Sequence, residues 1–304
     1  MKIVVTLGVC VRNGERMIGR VIESIMKQDF PHEKMQILIV DDGSTDRTLQ
    51  LLSDWVSKID IKTKIFSKKW QGLGPSRNLI LKNAEGQYII WVDADEILPE
   101  SYVRKQVEFM VKNPKVGITA GLVKLVCKNL VLNLELMPTI IDHLNYNKPK
   151  NFIWKTGKLP GTGGAIFRVE ALKQVNGFDE RISGVGEDQD VAYRIKNAGW
   201  LIFLNQEPFY ELHGGMSTFQ DLWKKYFWYG YGAYKIYKQN RILFSLPRMS
   251  PVAGILTGFF YSIEAYKRMH SEAVFLLPIH YSFKLTAWMF GFIKAQIEAY
   301  MGQF

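Results

Sequence analysis

Cysteine is almost missing from this chain: Cys10 and Cys127 are the only two in 304 residues. They share no spacing that suits a metal cage, and two cannot build the disulfide framework of a small secreted fold. This points to a reducing, cytosol-facing location. Long runs of lysine or arginine are missing too, although the formal net charge is +10. Nucleic acid is therefore not the expected partner. The positive surplus reads either as a well-solvated basic surface or as attraction for anions such as acidic lipid or a phosphorylated small molecule. No G-x-G-x-x-G follows the first apolar run, which sets a dinucleotide-dependent redox enzyme aside. The opening "MKIVVTLGVCVRNGE" has no convincing cleavage site and is broken by Arg12 and Glu15. It reads as a first strand rather than a signal peptide. No internal repeat or low-complexity segment is visible.

What is present is a regular alternation. The composition, 47% hydrophobic and 22% charged, supports one large domain, or one domain plus an appendage. "KIVVTLGVCV", "MQILIVDDGSTD", "IKTKIFSKK" and "QYIIWVDADE" read as buried strands. Between them lie helical patterns. The first carries Met17, Ile18, Val21, Ile22, Ile25 and Met26, with Asn13 as N-cap. The second carries Leu49, Leu52 and Val56, capped by Ser44 or Thr45. The third is "GPSRNLILKNAEG", with Pro75 near its start and Gly86 past its end. Strand–helix alternation of this kind makes an α/β domain with a mostly parallel sheet. From about residue 116 the pattern loosens. "VGITAGLVKLVC" suggests a strand and "LNYNKPKNF" a loop. "GTGGAIFRVEALKQVNGF" suggests a strand and short helix, "GEDQDVAYRIKNAG" a helix, and "WLIFL" a final short strand.

Ligands of such sheets gather at the carboxyl ends of the strands. Three of these ends carry polar groups: Arg12 and Asn13, Asp41 and Asp42, Asp93 and Asp95. In "WVDADE" the carboxylates repel one another and need a positive partner. A divalent cation such as Mg²⁺ or Mn²⁺ takes oxygen ligands of this kind. The competing reading is a helix-entry cluster, and Glu96 is expected to point elsewhere or begin the next helix. "DDGSTD" can accept N–H groups of a base or ribose, or be plain turn chemistry. Glu187 and Asp188 open a helix, where they either cap it or supply a general base. His213, beside two glycines, is either a structural group or a metal or phosphate contact.

In combination and order, "VRNGE…IESIMKQDFP", "ILIVDDGSTDRT", "GPSRNLILKNAEGQYIIWVDADE", "GGAIFRVEALKQVNGFDE" and "GEDQDVAYRIKNAGW" resemble the family-2 glycosyltransferases of the GT-A fold. The match covers roughly residues 2 to 215. The resemblance implies a metal-assisted, inverting transfer from a nucleotide-diphosphate sugar. It places Asp42 at the nucleobase, with Cys10 and Arg12 lining the nucleoside pocket and Arg77 near base or phosphate. Asp93 contacts ribose or the metal shell, and Asp95 ligates Mn²⁺ or Mg²⁺. Asp188 is the catalytic base, Glu187 supports the acceptor, and His213 completes the metal site in some members. Arg12 departs from the family, many of whose members carry a tyrosine there.

Residues 1–216 are expected to form the GT-A catalytic domain and residues 217–304 a helical, membrane-associating appendage. "FQDLWKKYFWYGYGAYKIYKQNR" mixes aromatics with lysines, which suits a lipid-phosphate acceptor at a membrane surface. "SPVAGILTGFFYSI" is short, whereas "AVFLLPIHYSFKLTAWMFGFI" approaches the ~20 residues needed to span a bilayer. The bland reading of both is core helices packed on the α/β domain or in a dimer. "TFQDLWKKY" lacks the Gln–x–x–Arg–Trp motif of processive members, so transfer of one sugar is expected. The donor is a UDP-sugar by preference, or a GDP-sugar. The acceptor is expected to be a lipid-linked or cell-surface glycan, and the location the cytoplasmic face of the cell membrane. The rival readings are a nucleotidyltransferase, which releases pyrophosphate, and a non-catalytic nucleotide-sugar-binding protein at the membrane.

Overall fold

The computed structural model describes residues 2–125, 129–135, 137, 151–153, 159–182, 185–212, 218–239 and 249–302. Two compact units divide the chain. One comprises Met1–Val126, Lys148–Ser183 and Glu187–His213, and the other Cys127–Asn147, Gly184–Gly186 and Gly214–Phe304.

The first unit is a mixed sheet covered on both faces. Its strands are β1 (Val5–Val11), β2 (Met35–Asp42), β3 (Lys62–Lys68), β4 (Tyr88–Asp93), β5 (Glu96–Ile97), β6 (Val116–Leu125), β7 (Asn151–Ile153), β8 (Ile166–Arg168) and β9 (Leu201–Leu212). Its helices are α1 (Ile18–Met26), α2 (Thr48–Val56), α3 (Leu73–Asn83), α4 (Tyr102–Lys112), α5 (Val169–Gln174) and α6 (Glu187–Asn197). The strand order is β3-β2-β1-β4-β8-β6-β9-β5, with β7 also paired to β9. β3, β2, β1 and β4 run parallel, and β8 enters antiparallel to β4 and β6.

Alternation along each strand decides which core a residue joins. Val5, Leu7, Val9 and Val11 of β1 join Met35, Ile37 and Ile39 of β2 and Tyr88, Ile90 and Val92 of β4 against α1 and α4. The other face buries Leu38 and Val40 of β2 and Ile89 and Trp91 of β4 against α3 and α6. Gly8 belongs to this second face, where a Cβ would lie 2.9 Å from the Trp91 ring. Glycine there gives the indole its space.

Several local expectations change. Asn13 does not cap the first helix, which starts at Ile18 after Met17. Asn13 instead has φ +54 and accepts from the Thr45 backbone N–H at 2.8 Å, tying two strand-end turns together. Neither Ser44 nor Thr45 caps α2: Asp46 accepts from the Thr48 N–H at 3.0 Å. The final strand is much longer than "WLIFL". β9 continues through Leu212 because its register with β6 jumps from Ala120↔Leu204 to Leu122↔Phe209. That irregularity passes over Pro208, which a regular ladder would reject. Most of "LNYNKPKNF" lies outside the described residues.

The second unit is helical. It contains α7 (Phe219–Gln239), α8 (Pro251–Met269) and α9 (Leu277–Tyr300), with a helical stretch at 130–135. The helices meet through small residues. A Cβ on Gly254 would lie 2.8 Å from the Tyr281 carbonyl, and one on Gly258 2.5 Å from the Pro278 Cα. Gly291 is pressed against the Phe227 carbonyl and Gly230 against that of Trp288. Within this packing Glu135 accepts from Tyr226 Oη at 2.5 Å and Lys284 Nζ at 3.0 Å, and lies 3.1 Å from His280 Nε2.

Candidate active site

Strand alternation puts three of the sequence-predicted residues on one face of the sheet. Cys10 shares the face of Gly8, Asp42 that of Leu38 and Val40, and Asp93 that of Ile89 and Trp91, which is the α3 and α6 face. The register aligns Cys10 with Asp93 on one side and Val40 on the other. Asp41 points the opposite way, its carboxylate 3.4 Å from the Ser44 N–H.

Arg77 rises from α3 into this face and is 3% exposed. Its guanidinium donates to Glu187 of α6 and lies 3.8 Å from the Asp93 carboxylate. The rings of Trp91 and Phe178 flank it, with centroids at 5.9 and 5.6 Å. Burial of this charge is tolerable because two carboxylates and two π-faces replace its water. Arg77 was expected near base or phosphate; here it joins the acid at the end of β4 to the acid at the start of α6.

Burial pushes the Glu187 carboxyl above its ordinary range, with Arg77 pulling it down and Asp188 pushing it up. Asp93 is also raised, first by desolvation at the crowded strand end, then by Asp95 and Asp188, against the pull of Arg77. The Cys10 thiol is pushed up to about 12 by burial, so it stays protonated and is no nucleophile.

Sequence reasoning missed two features. Glu96 begins no helix: it lies in the two-residue strand β5 opposite Leu212 and is buried. Its Oε2 accepts from the Asp93 N–H at 2.9 Å and the Gly164 N–H at 3.0 Å. Desolvation pushes its carboxyl well above the ordinary range. The second feature is the turn Gly161–Gly164, which runs across the acids. A Cβ on Gly161 would lie 3.0 Å from Asp188 Oδ2, and one on Gly163 3.2 Å from Asp93 Oδ2 and against Glu96. The signal was the run "GTGG", whose glycines allow this approach. Asp188 itself is half-buried and accepts from the Gln189 N–H at 2.7 Å. Gln189 Nε2 in turn donates to the Leu159 carbonyl at 2.9 Å, fixing the start of α6 to the segment that leads into the glycine turn.

Asp42 is buried and fully engaged. It accepts from Lys68 Nζ at 2.6 Å, the Gln71 N–H at 3.0 Å and the Gly72 N–H at 2.9 Å. Arg12 is exposed, its guanidinium 5.0 Å from the ring centroid of Trp70. His213 lies outside the described residues.

Asp93, Glu187 and Asp188 surround the Arg77 guanidinium, and Asp95 and Glu96 lie beside Asp93 at the same strand end. Oxygen donors in such excess fit a hard divalent cation. Among the described residues no three His, Cys, Asp or Glu side chains form a ready cage.

A parallel strand block, an antiparallel β8 and acids at the carboxyl edge are the features of a GT-A glycosyltransferase. The family model for glycosyl transferase family 2 matches residues 6–175, and the chain belongs to that family. It is 34% identical over 98 residues to the poly(ribitol-phosphate) beta-N-acetylglucosaminyltransferase TarS of Staphylococcus aureus, a match covering 32% of this chain and 17% of that protein. It is 26% identical over 243 residues to the beta-monoglucosyldiacylglycerol synthase of Synechocystis, covering 77% of this chain and 48% of the other. The matches to the curated relatives named here thus span less than half of those proteins' lengths. Among solved structures, the fold resembles the mannosyltransferase PcManGT from Pyrobaculum calidifontis in complex with GDP-Man and Mn²⁺. That match has a TM-score of 0.66 and 17% identity over 97% of this chain and 88% of the other. The TarS 1–349 crystal structure matches with a TM-score of 0.54 and 18% identity, over 99% of this chain and 93% of that one.

Proposed function

We propose that the chain is a metal-dependent, inverting glycosyltransferase that moves one sugar from a nucleotide-diphosphate sugar to a lipid-linked or cell-surface glycan acceptor. The observation that carries this reading is the joining of Asp93 and Glu187 by Arg77, which sets Asp188 beside the acid-rich end of β4. A UDP-sugar is the preferred donor and a GDP-sugar the competitor. Structures of similar fold solved with UDP-GlcNAc and with GDP-Man support both.

Asp95 and Asp93 would hold the divalent cation, which supplies neutralisation of charge on the leaving diphosphate. The chain's own residues do the rest. Asp188 takes the proton of the acceptor hydroxyl as its oxygen bonds to the anomeric carbon. The bond from that carbon to the diphosphate oxygen breaks on the opposite face, and nucleoside diphosphate leaves with the electron pair. Glu187, committed to Arg77, orients the start of α6 and supports the acceptor. Cys10 stays neutral and borders the nucleoside. One displacement inverts the configuration and needs no nucleophile on the enzyme.

Residues 217–304 would act at the cytoplasmic face of the cell membrane. On α8 the inward positions are small: Gly254, Gly258, Ser262 and Ala265 are buried. The outward ones are large and apolar, among them Val252, Ile255, Leu256, Phe259, Phe260 and Ile263. A helix in water does the reverse, whereas helices packed in lipid favour small residues at their contacts. α9 with the turn before it, Glu272–Tyr300, is the one described helix long and apolar enough to cross a bilayer. It also buries His280 and Lys284 against Glu135, which favours a unit lying in the membrane surface.

The test is incubation with labelled nucleotide sugars, Mn²⁺ and lipid-linked acceptors, measuring release of nucleoside diphosphate. Asp188→Asn is expected to keep donor binding and lose transfer by at least 100-fold, the scale of general-base catalysis. Wild-type transfer by this variant refutes the base assignment, and release of pyrophosphate indicates nucleotidyl transfer.

A further inference from the structure

Trp70 has no part in the reading above. It follows β3 at the carboxyl edge of the sheet and is 51% exposed. A tryptophan this open to water forgoes most of the burial that normally rewards it. Yet its backbone is firmly held. Lys68, Gln71 and Gly72 on either side of it all donate to the one buried carboxylate of Asp42. The Trp70 backbone nitrogen is packed against Gly43, where a Cβ would lie 2.8 Å away. Gly43 has φ +76, so the turn after Asp42 is shaped to pass beneath this segment. The Arg12 guanidinium then lies over the indole at 5.0 Å.

We infer that Trp70, steadied by Arg12 and by the Asp42-bound segment, is the stacking platform for the nucleobase of the donor. The inference rests on the glycosyltransferase reading and adds a residue to it. Three features select a nucleobase rather than a sugar or an acyl chain. Aromatic faces bind bases by stacking, with little regard to sequence. The platform lies by the ends of β1, β2 and β3, and β1 separates β2 from β4. That sets it about two strand spacings, roughly 10 Å, from the acids that suit a metal–diphosphate. An acceptor has to reach Asp188 on the far side of those acids. The pinning of residues 68–72 also lowers the ordering cost of binding. Asp42 on this account is a positioning residue, since its oxygens already hold the segment that presents the ring.

The experiment is calorimetry on the full chain with Mg²⁺, using UDP, GDP and inorganic pyrophosphate as probes. Trp70→Ala is expected to weaken whichever nucleoside diphosphate the wild type binds by about tenfold, near the lower end for base–aromatic stacking because half the ring is open to water. Pyrophosphate binding should not change, and Trp70→Phe should stay within about threefold of wild type. The exposed position lets both variants fold, which an unchanged Tm verifies. Equal nucleotide affinity in Trp70→Ala overturns the inference, as does an equal loss for pyrophosphate, which marks a general distortion of the pocket. If the wild type binds pyrophosphate but neither nucleotide, the glycosyltransferase reading fails and this inference falls with it. Failure of Trp70→Ala alone leaves that reading intact.

Discussion

Replacing Arg77 with methionine removes the cation between Asp93 and Glu187 and leaves Glu187 buried at 2% exposure. Its Oε2 already has no hydrogen-bond partner among the described residues. Burial holds the carboxyl above its ordinary 4.5 even beside Arg77, so losing the guanidinium raises it further and favours the neutral acid. At pH 7 neutralising a carboxyl of ordinary 4.5 costs at most about 3.4 kcal/mol, 2.5 pH units at about 1.36 kcal/mol each. This agrees with the 3–5 kcal/mol typical of breaking a buried pair. At pH 5 the same arithmetic leaves about 0.7 kcal/mol. The sign follows from linkage: a raised carboxyl binds its proton more tightly in the folded state, so the variant loses stability as pH rises above 4.5. Urea unfolding at pH 5 and pH 7, followed by fluorescence and circular dichroism, measures both values. Arg77→Met should be close to wild type at pH 5 and about 3 kcal/mol weaker at pH 7, and adding Glu187→Gln should recover much of the difference. A penalty equal at the two pH values, or no recovery in the double variant, refutes the argument.

Gly163→Ala should reduce apparent Mn²⁺ affinity in a nucleotide-binding titration, because its Cβ lands 3.2 Å from Asp93 Oδ2 and against Glu96; unchanged affinity would clear the glycine turn of a role. Asp95→Ala should lose metal-dependent turnover while keeping its melting temperature. Glu135 is held below its ordinary 4.5 because bonds from His280 and charge from Lys284 and Lys225 outweigh its burial. The stability it contributes is therefore present above pH 4.5 and is lost as pH falls below it. Helical melting should drop in acid for the wild type, and Glu135→Gln should flatten that pH dependence while lowering stability at pH 7 by about 3 kcal/mol. Ile255→Asp with Phe259→Asp should abolish flotation with anionic vesicles if the outward face of α8 enters lipid, and loss of a dimer on a sizing column would instead mark a protein interface.

The strand–helix alternation was legible because its signals are local: runs of β-branched residues and helical spacing. The gathering of polar residues at the carboxyl ends of β1, β2 and β4 was legible too, since parallel strands end on one edge. Glu96 was not, because its partner Gly164 stands 68 positions away and only folding reveals that pairing. The link from Arg77 to Glu187 was not legible either, because it depends on a helix 110 positions later. The apolar stretches at the end announced themselves by composition. Which face of α8 turns inward did not, because Gly254 and Gly258 win that face through how closely another backbone can approach.

The alternation of faces at the strand ends also limits how this chain can change. Lengthening β2 by one residue before Asp42 would hand its place to Asp41 and turn Asp42 to the opposite core, and β4 carries the same liability at Asp93. Surface loops can grow or shrink freely, but length changes within these strands are tolerated only in pairs. Single-residue insertions at Met35–Asp42 or Tyr88–Asp93 should therefore abolish the site outright, whereas insertions in the exposed turns between elements only tune it.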